Sequence, residues 1–396
     1  MTHPGWTSGY SGELPYIPTY ITAQAPAEMA MVAGLAGVHC ALPQEGLAFL
    51  DLGCGRGMSV LTLAAANPSW TAIGIDFMPA HIAEAREIAA EAGLDNARFL
   101  EADLAALDEA AAARLLPELD VITLHGVWTW VADPVREGIL RVIRSRLKPG
   151  GFVLVTYNAM PGWAPDLALA RLLSDLVARL DGPSDQRMAR ALGIARGLHQ
   201  VGAGALAGSR FMERLAEVPK NAYDAFVRYA MHEFLPQHWR PAWPQDVAAA
   251  FAEAKLNPVG PAALALHFPA LLLTEEQREA TAKLPPGLDR GVVRDLFTRP
   301  TLHRDLFVRG RRPADVEGAI RDTTLALRRL PEDRRVVLET PSGMAELPAA
   351  VMHAALDALA EGPRSIAALL SLPALARTTA GELLAVLAGS LLCAPV

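Results

Sequence analysis

From residue 47 to residue 158 the chain alternates short apolar runs with amphipathic stretches. Residues 47–51 (LAFLD) form an apolar run that ends on an acid, and helical spacing follows from Ser59 to Ala66. Residues 71–76 (TAIGID) predict a second strand, and residues 79–94 (PAHIAEAREIAAEAGL) a helix opened by Pro79 and closed near Gly93. The segments 97–103 (ARFLEAD), 120–126 (DVITLHG) and 151–158 (GFVLVTYN) predict three more strands, with helical spacers between them. Strands that alternate with helices in this way build a doubly wound parallel sheet.

The alternation stops after Asn158. From Pro165 to about Ala230 the pattern is helical, as in DLALARLLSDLVARL and AYDAFVRYAMHEFL. Residues 244–268 then read as helix and strand, and residues 302–310 (LHRDLFVRG) as one more strand. The simplest account lets these last two strands complete the first sheet, with the helical stretch inserted between its pieces. Beyond Arg311 an apolar strand (RVVLET), three helix patterns and a final apolar strand predict a small winged-helix-like module. The expected fold is therefore α/β: a doubly wound, Rossmann-like sheet with a helical insertion and a C-terminal module. Its expected divisions are an N-terminal lid segment (1–45), a sheet domain in two pieces (46–159 and 244–310), the insertion (160–243) and the C-terminal module (311–396).

Composition narrows the class. With 396 residues, 52% of them hydrophobic and 20% charged, the chain can bury two or three cores. A net charge of −7 gives no general electrostatic reason to bind nucleic acid, and residues 341–396 carry four acids against two arginines, which argues against DNA reading there. Three scattered cysteines (Cys40, Cys54, Cys393) suit a reducing compartment and show no metal spacing. No secretory leader pattern opens the sequence and no apolar run reaches the length of a membrane span, so the expected location is the cytoplasm, without stable membrane insertion. His232 and Glu233 invite a zinc reading, but Pro236 stands where the second histidine of a zincin helix belongs, so no metal is expected.

The chemistry gathers in LDLGCGRG. A nucleoside triphosphate loop needs a lysine and a hydroxyl straight after its last glycine, and here Met58 follows Gly57. Gly53, Gly55 and Gly57 fall as G-x-G-x-G, not as the G-x-G-x-x-G of dinucleotide sites. Asp51, just before the loop, repels a pyrophosphate and welcomes an ammonium group. S-adenosylmethionine fits: it carries an amino-acid end, a sulfonium, a ribose diol and an adenine, and no phosphate. Asp76, with Phe77 behind it at the end of the second strand, is placed to accept both ribose hydroxyls, as an acid does in dinucleotide sites. Asp103 and Leu104 follow the third strand, where Asp103 can accept from the adenine amino group. His125 and Gly126 end the fourth strand beneath the methionine moiety.

Together LDLGCGRG, GIDFMPAHIAEAR, FLEADL, LHGVWTWV, YNAMPGW, YAMHEFLPQHWRP and VRDLFTRPTLHRDLFVRG resemble class I S-adenosylmethionine-dependent methyltransferases with an attached methyltransferase regulatory region. That group includes rickettsial enzymes that methylate lysines of outer-membrane proteins. The resemblance covers most of residues 13–310, including the tyrosine-rich ELPYIPTY. It implies a lysine N-methyltransferase that acts on a protein substrate and releases S-adenosylhomocysteine. For the acceptor side the expected residues are Trp128, Tyr157 and Asn158 at the sheet edge, with Trp130 and Trp163 nearby and Tyr16 and Tyr20 folding over as a lid. Aromatic walls hold a lysine ammonium by cation–π attraction. Two other readings stay open: a small-molecule or natural-product methyltransferase, and a non-catalytic module that senses S-adenosylmethionine. The sequence names neither the acceptor nor the oligomeric state. Every donor-site element read here lies between residues 49 and 126, which assigns 160–243 and 311–396 to the acceptor.

Overall fold

The structure is a computed structural model that describes residues 19–396 apart from Asp333 and Ser342, so Tyr16 lies outside the described residues. Seven strands form the central sheet: β1 (Ala48–Leu52), β2 (Thr71–Asp76), β3 (Ala97–Glu101), β4 (Leu119–Leu124), β5 (Leu147–Asn158), β6 (Leu256–Pro261) and β7 (Leu302–Arg309). Their spatial order is β3-β2-β1-β4-β5-β7-β6. The first five are parallel, and β7 runs antiparallel to both β5 and β6. Every residue of β1 and β4 is buried, which is why these strands read as unbroken apolar runs. The order reverses between β1 and β4, and open α/β sheets bind ligands at such a switch point, outside the strands' carboxyl ends.

Each face of the sheet carries a core. Leu50, Leu52, Ile122, Leu124, Val153 and Val155 point to one face, against Ile139, Val142 and Ile143 of the helix Asp133–Arg146. Phe49, Val121, Phe152 and Leu154 point to the other, against the helices Met58–Ala66 and Pro79–Glu91 and against Met29, Val32 and Ala33 of the helix Pro26–Leu35. Strand alternation therefore puts Asp51, Thr123, Thr156 and Asn158 on this second face.

Between β5 and β6 the helices Leu167–Val177, Ser184–Gln200, Arg210–Glu217 and Tyr223–Phe234 enclose a third core. The helix Pro244–Ala252 then returns to the sheet through Val247 and Phe251. Two helices absent from the sequence reading, Glu275–Ala282 and Arg290–Thr298, lie between β6 and β7.

The C-terminal module has its own core, around Leu325, Leu356, Leu369 and Leu384. Its strand pairing was left open by the sequence. Val337–Thr340, the last four residues of RVVLET, forms a separate hairpin with Gly343–Glu346. The last strand, Cys393–Pro395, pairs instead with Thr324–Leu327, a four-residue strand that also takes Arg364–Ser365 on its other side. A strand that short carries too little pattern to be read in advance. Among the described residues no helix is long and apolar enough to cross a membrane.

Candidate functional site

The glycine loop leaves β1 and curls over the end of β2. The Gly53 and Cys54 amides both donate to the Ile75 carbonyl, at 2.7 and 3.0 Å. Two glycines are needed here for different reasons. A Cβ on Gly53 would stand 2.5 Å from Val127 Cγ2, whereas at Gly55 nothing lies within 4 Å of that point. Gly55 also has φ +54°. The loop is thus packed behind and open in front, which leaves room for a ligand beside the Gly55 backbone.

Two acids border that opening. Asp51 is 5% exposed, and its Oδ1 accepts from Gln24 Nε2 at 2.8 Å and from Thr123 Oγ1 at 2.7 Å. Burial lifts its pKa to about 7; the Thr123 and Gln24 hydrogen bonds oppose the rise and the Asp76 charge adds to it. Asp76 accepts from the Gly55 amide through Oδ2 (2.8 Å) and from the Met78 amide through Oδ1 (2.9 Å), with His81 Nδ1 3.5 Å away. The two acids therefore border the loop from consecutive strands. Phe77 beside them is half-buried.

The other expected donor-side residues occupy the same edge. Asp103 is exposed and accepts from the Ala105 amide at 2.8 Å, closing a turn, while Leu104 is buried in the core. At the end of β4 the Gly126 amide donates to Thr156 Oγ1 (2.8 Å), and that hydroxyl lies 3.1 Å from His125 Nδ1. Burial, helped by the Arg304 charge, holds the His125 pKa at about 4, so the ring is neutral. Arg304 sits opposite Thr156 in the β5–β7 register, and its Nε is buried without a hydrogen-bond partner.

The acceptor-side expectations need correction. Tyr157 follows Thr156 and so points to the opposite face of the sheet. It is fully buried, donates its hydroxyl to Asp305 and packs 5.5 Å from the His303 ring. Trp128 lies in that same core at 5% exposure, 4.9 Å from Phe251. Neither walls a cleft. Trp163 is also a packing residue, 4% exposed with its Nε1 donating to the Thr301 carbonyl. Tyr20 is half-buried against the core beneath the helix Pro26–Leu35. Burial raises its pKa, with the Glu28 charge adding and Arg328 opposing.

Asn158 does face the donor side, at 3% exposure, and its amide donates to Glu233 Oε1. Glu233 comes from the helix Tyr223–Phe234 and also accepts from Trp239 Nε1 at 2.9 Å. Burial raises its pKa against the hydrogen bonds from Asn158, Trp239 and Tyr229. The sequence reading missed Gln24, Thr123, Thr156 and Arg304. Thr123 and Thr156 had a signal, since each is a polar residue on the same face as Asp51 at a strand's carboxyl end.

An acid at the mouth of a glycine loop, a second acid at the end of the next strand and space above Gly55 suit a ligand with an ammonium and a diol. Residues 43–184 match the family described as a methyltransferase domain, and residues 227–309 the family described as a predicted methyltransferase regulatory domain. Together the two matches support an S-adenosylmethionine-dependent methyltransferase. Its cofactor is S-adenosylmethionine. The methyltransferase is 28% identical over 366 residues to an uncharacterized protein of Synechocystis, an alignment that covers 91% of this chain and 71% of that one. An uncharacterized protein of Rickettsia prowazekii is 30% identical over 151 residues, which is 38% of this chain and 58% of the relative. The structure of PKMT2 from Rickettsia typhi in complex with AdoHcy superposes with a TM-score of 0.67 at 19% identity, covering 94% of this chain and 74% of that one.

Proposed function

We propose that the methyltransferase transfers methyl groups to lysine side chains of a protein. One observation carries this reading: the architecture shared with PKMT2 runs through 94% of the chain, so it takes in the helical region and the C-terminal module as well as the donor domain. On this reading Asp51 takes the donor's ammonium, Asp76 the ribose hydroxyls, and Asp103 with Leu104 the adenine. His125 and Gly126 border the methionyl chain. The Arg304 Nε, a buried donor without a protein partner, suits the carboxylate of that chain.

The cofactor supplies a methyl group on a positively charged sulfur, so the protein has chiefly to hold the acceptor in line and exclude water. Free lysine has a pKa near 10.4 and must lose a proton before it can react. Glu233 and Asn158 stand on the donor side of β5. A carboxylate with a raised pKa can attract the ammonium and take its proton, while the Asn158 oxygen orients the neutral amine. Glu233 lies in the regulatory-domain match, and on this reading that region takes part in acceptor recognition.

The test is to incubate the protein with tritiated S-adenosylmethionine and a lysate of its own cells, then map the label by mass spectrometry. Methyl groups on protein lysines are expected. Label confined to carboxylates, hydroxyls or free metabolites overturns the lysine reading and leaves a small-molecule methyltransferase.

A further inference from the structure

Gln24 precedes the glycine loop by almost thirty positions, yet it is 1% exposed and reaches the deepest acid of the donor site. Its amide nitrogen donates to Asp51 Oδ1 at 2.8 Å and to Thr123 Oγ1 at 3.0 Å, and its amide oxygen accepts from Ser59 Oγ at 2.5 Å. One side chain thus joins β1, β4 and the helix that follows the glycine loop. Two residues later the chain enters the helix Pro26–Leu35, which is shared between two cores. Met29, Val32 and Ala33 pack on the sheet, whereas Met31 and Leu35 pack into the C-terminal module.

The contact with the module is close and continuous. A Cβ on Gly34 would stand 2.8 Å from the Cβ of Ala319, in the helix Val316–Asp322, and its three nearest atoms all belong to Ala319. The Ala314 amide donates to the Gly37 carbonyl at 3.0 Å, and the His39 amide to the Arg312 carbonyl at 2.9 Å. Arg328 reaches Glu28 at 3.2 Å. A ten-residue helix spans about 15 Å and moves as one body, so a displacement at Gly34 is felt at Gln24.

We propose that Gln24 is a positioning residue for the methyl-donor site, and that the C-terminal module sets its position through the helix Pro26–Leu35, so the state of the module governs affinity for the donor. The inference rests on the reading of Asp51 as a donor ligand. Whatever shifts the module, an acceptor segment or a partner, changes donor affinity, and the donor changes affinity for that partner by the same factor. The division of labour read from the sequence, with donor binding independent of residues 311–396, gives way to a linked pair of sites.

Calorimetric titration of the full chain with S-adenosylhomocysteine tests this. Gln24→Met, which keeps length and removes the amide, is expected to raise Kd roughly tenfold or more, since it strips a hydrogen bond from a charged group. Gly34→Ala touches no donor residue and improves helix propensity, yet it is expected to raise Kd about fivefold or more by pressing on Ala319. Ala319→Gly alone leaves Kd unchanged, and the double variant Gly34→Ala/Ala319→Gly restores the wild-type value. A wild-type protein that does not bind S-adenosylhomocysteine overturns the donor reading itself. Wild-type binding with an unchanged Kd in Gln24→Met or in Gly34→Ala overturns this inference alone. So does a Gly34→Ala defect that Ala319→Gly leaves unrelieved.

Discussion

At the scale of single residues, Asp51 serves two opposed demands. Buried and with a pKa of about 7, it is ionised at higher pH only at a cost to the ligand-free fold. The folded chain binds its proton more tightly than the unfolded chain does between the ordinary value of 3.8 and about 7, so the contribution of Asp51 to stability falls as pH rises through that window. Asp51→Asn is therefore expected to raise the Tm of the ligand-free protein at pH 8, by the equivalent of at most about 4 kcal/mol, while weakening S-adenosylhomocysteine binding at least tenfold. A Tm that stays level or drops at pH 8 would refute the account. Asp76→Ala, read by calorimetry, is expected to cost roughly ten- to a hundredfold in affinity. Both acids were legible because each ends a predicted strand beside the glycine loop. Gln24 was not, since its partners lie 27, 35 and 99 positions away and a lone glutamine in an apolar segment carries no period. Tyr157 was legible as a strand residue, but one step of alternation turns it into the core. Tyr157→Phe is accordingly expected to lower stability by about 1 to 3 kcal/mol through the loss of its bond to Asp305, with donor affinity unchanged.

At the scale of elements, the glycine loop separates fold from ligand. Gly53→Ala drives a methyl group into Val127, so chemical denaturation should show a loss of about 1 to 3 kcal/mol. Gly55→Val meets no protein atom in place of its Cβ, so apart from the strain of a positive φ it should fold and fail to bind S-adenosylhomocysteine. Retained binding in a folded Gly55→Val protein would refute the loop's role. The helix Tyr223–Phe234 offers the corresponding test on the acceptor side. Glu233→Gln preserves the acceptor oxygen for Asn158 and Trp239 and removes the charge. Turnover should fall at least tenfold with donor affinity intact, the pattern of an interaction made with the acceptor alone. Strands β1, β2 and β4 were readable because burial on both faces leaves them almost wholly apolar, whereas β3 at the sheet edge buries only Phe99 and was read from its place in the alternation. The pairing of the C-terminal strands was not, because Thr324–Leu327 has four residues and its partners arrive from as far off as Cys393–Pro395.

At the scale of the whole molecule, the described residues hold four apolar cores, and residues 19–40 run from beside Asp51 across the sheet face to the C-terminal module. That path was hidden from the sequence, since Glu28 and Arg328 are 300 positions apart. The sheet closes over a similar range. β7 is the inner partner of β5, yet Tyr157 and Asp305 are 148 positions apart. On a ribosome that adds about 5 to 20 residues per second, the far edge of β5 waits roughly 7 to 30 seconds for its neighbour. During that interval the edge of β5 that β7 will cover, Phe152–Asn158, presents unpaired amides and carbonyls, a template for pairing with any other chain. The insertion therefore sets a hazard in time: yield of soluble enzyme should depend on how fast the helices between β5 and β7 fold, and on whether a chaperone covers that edge meanwhile.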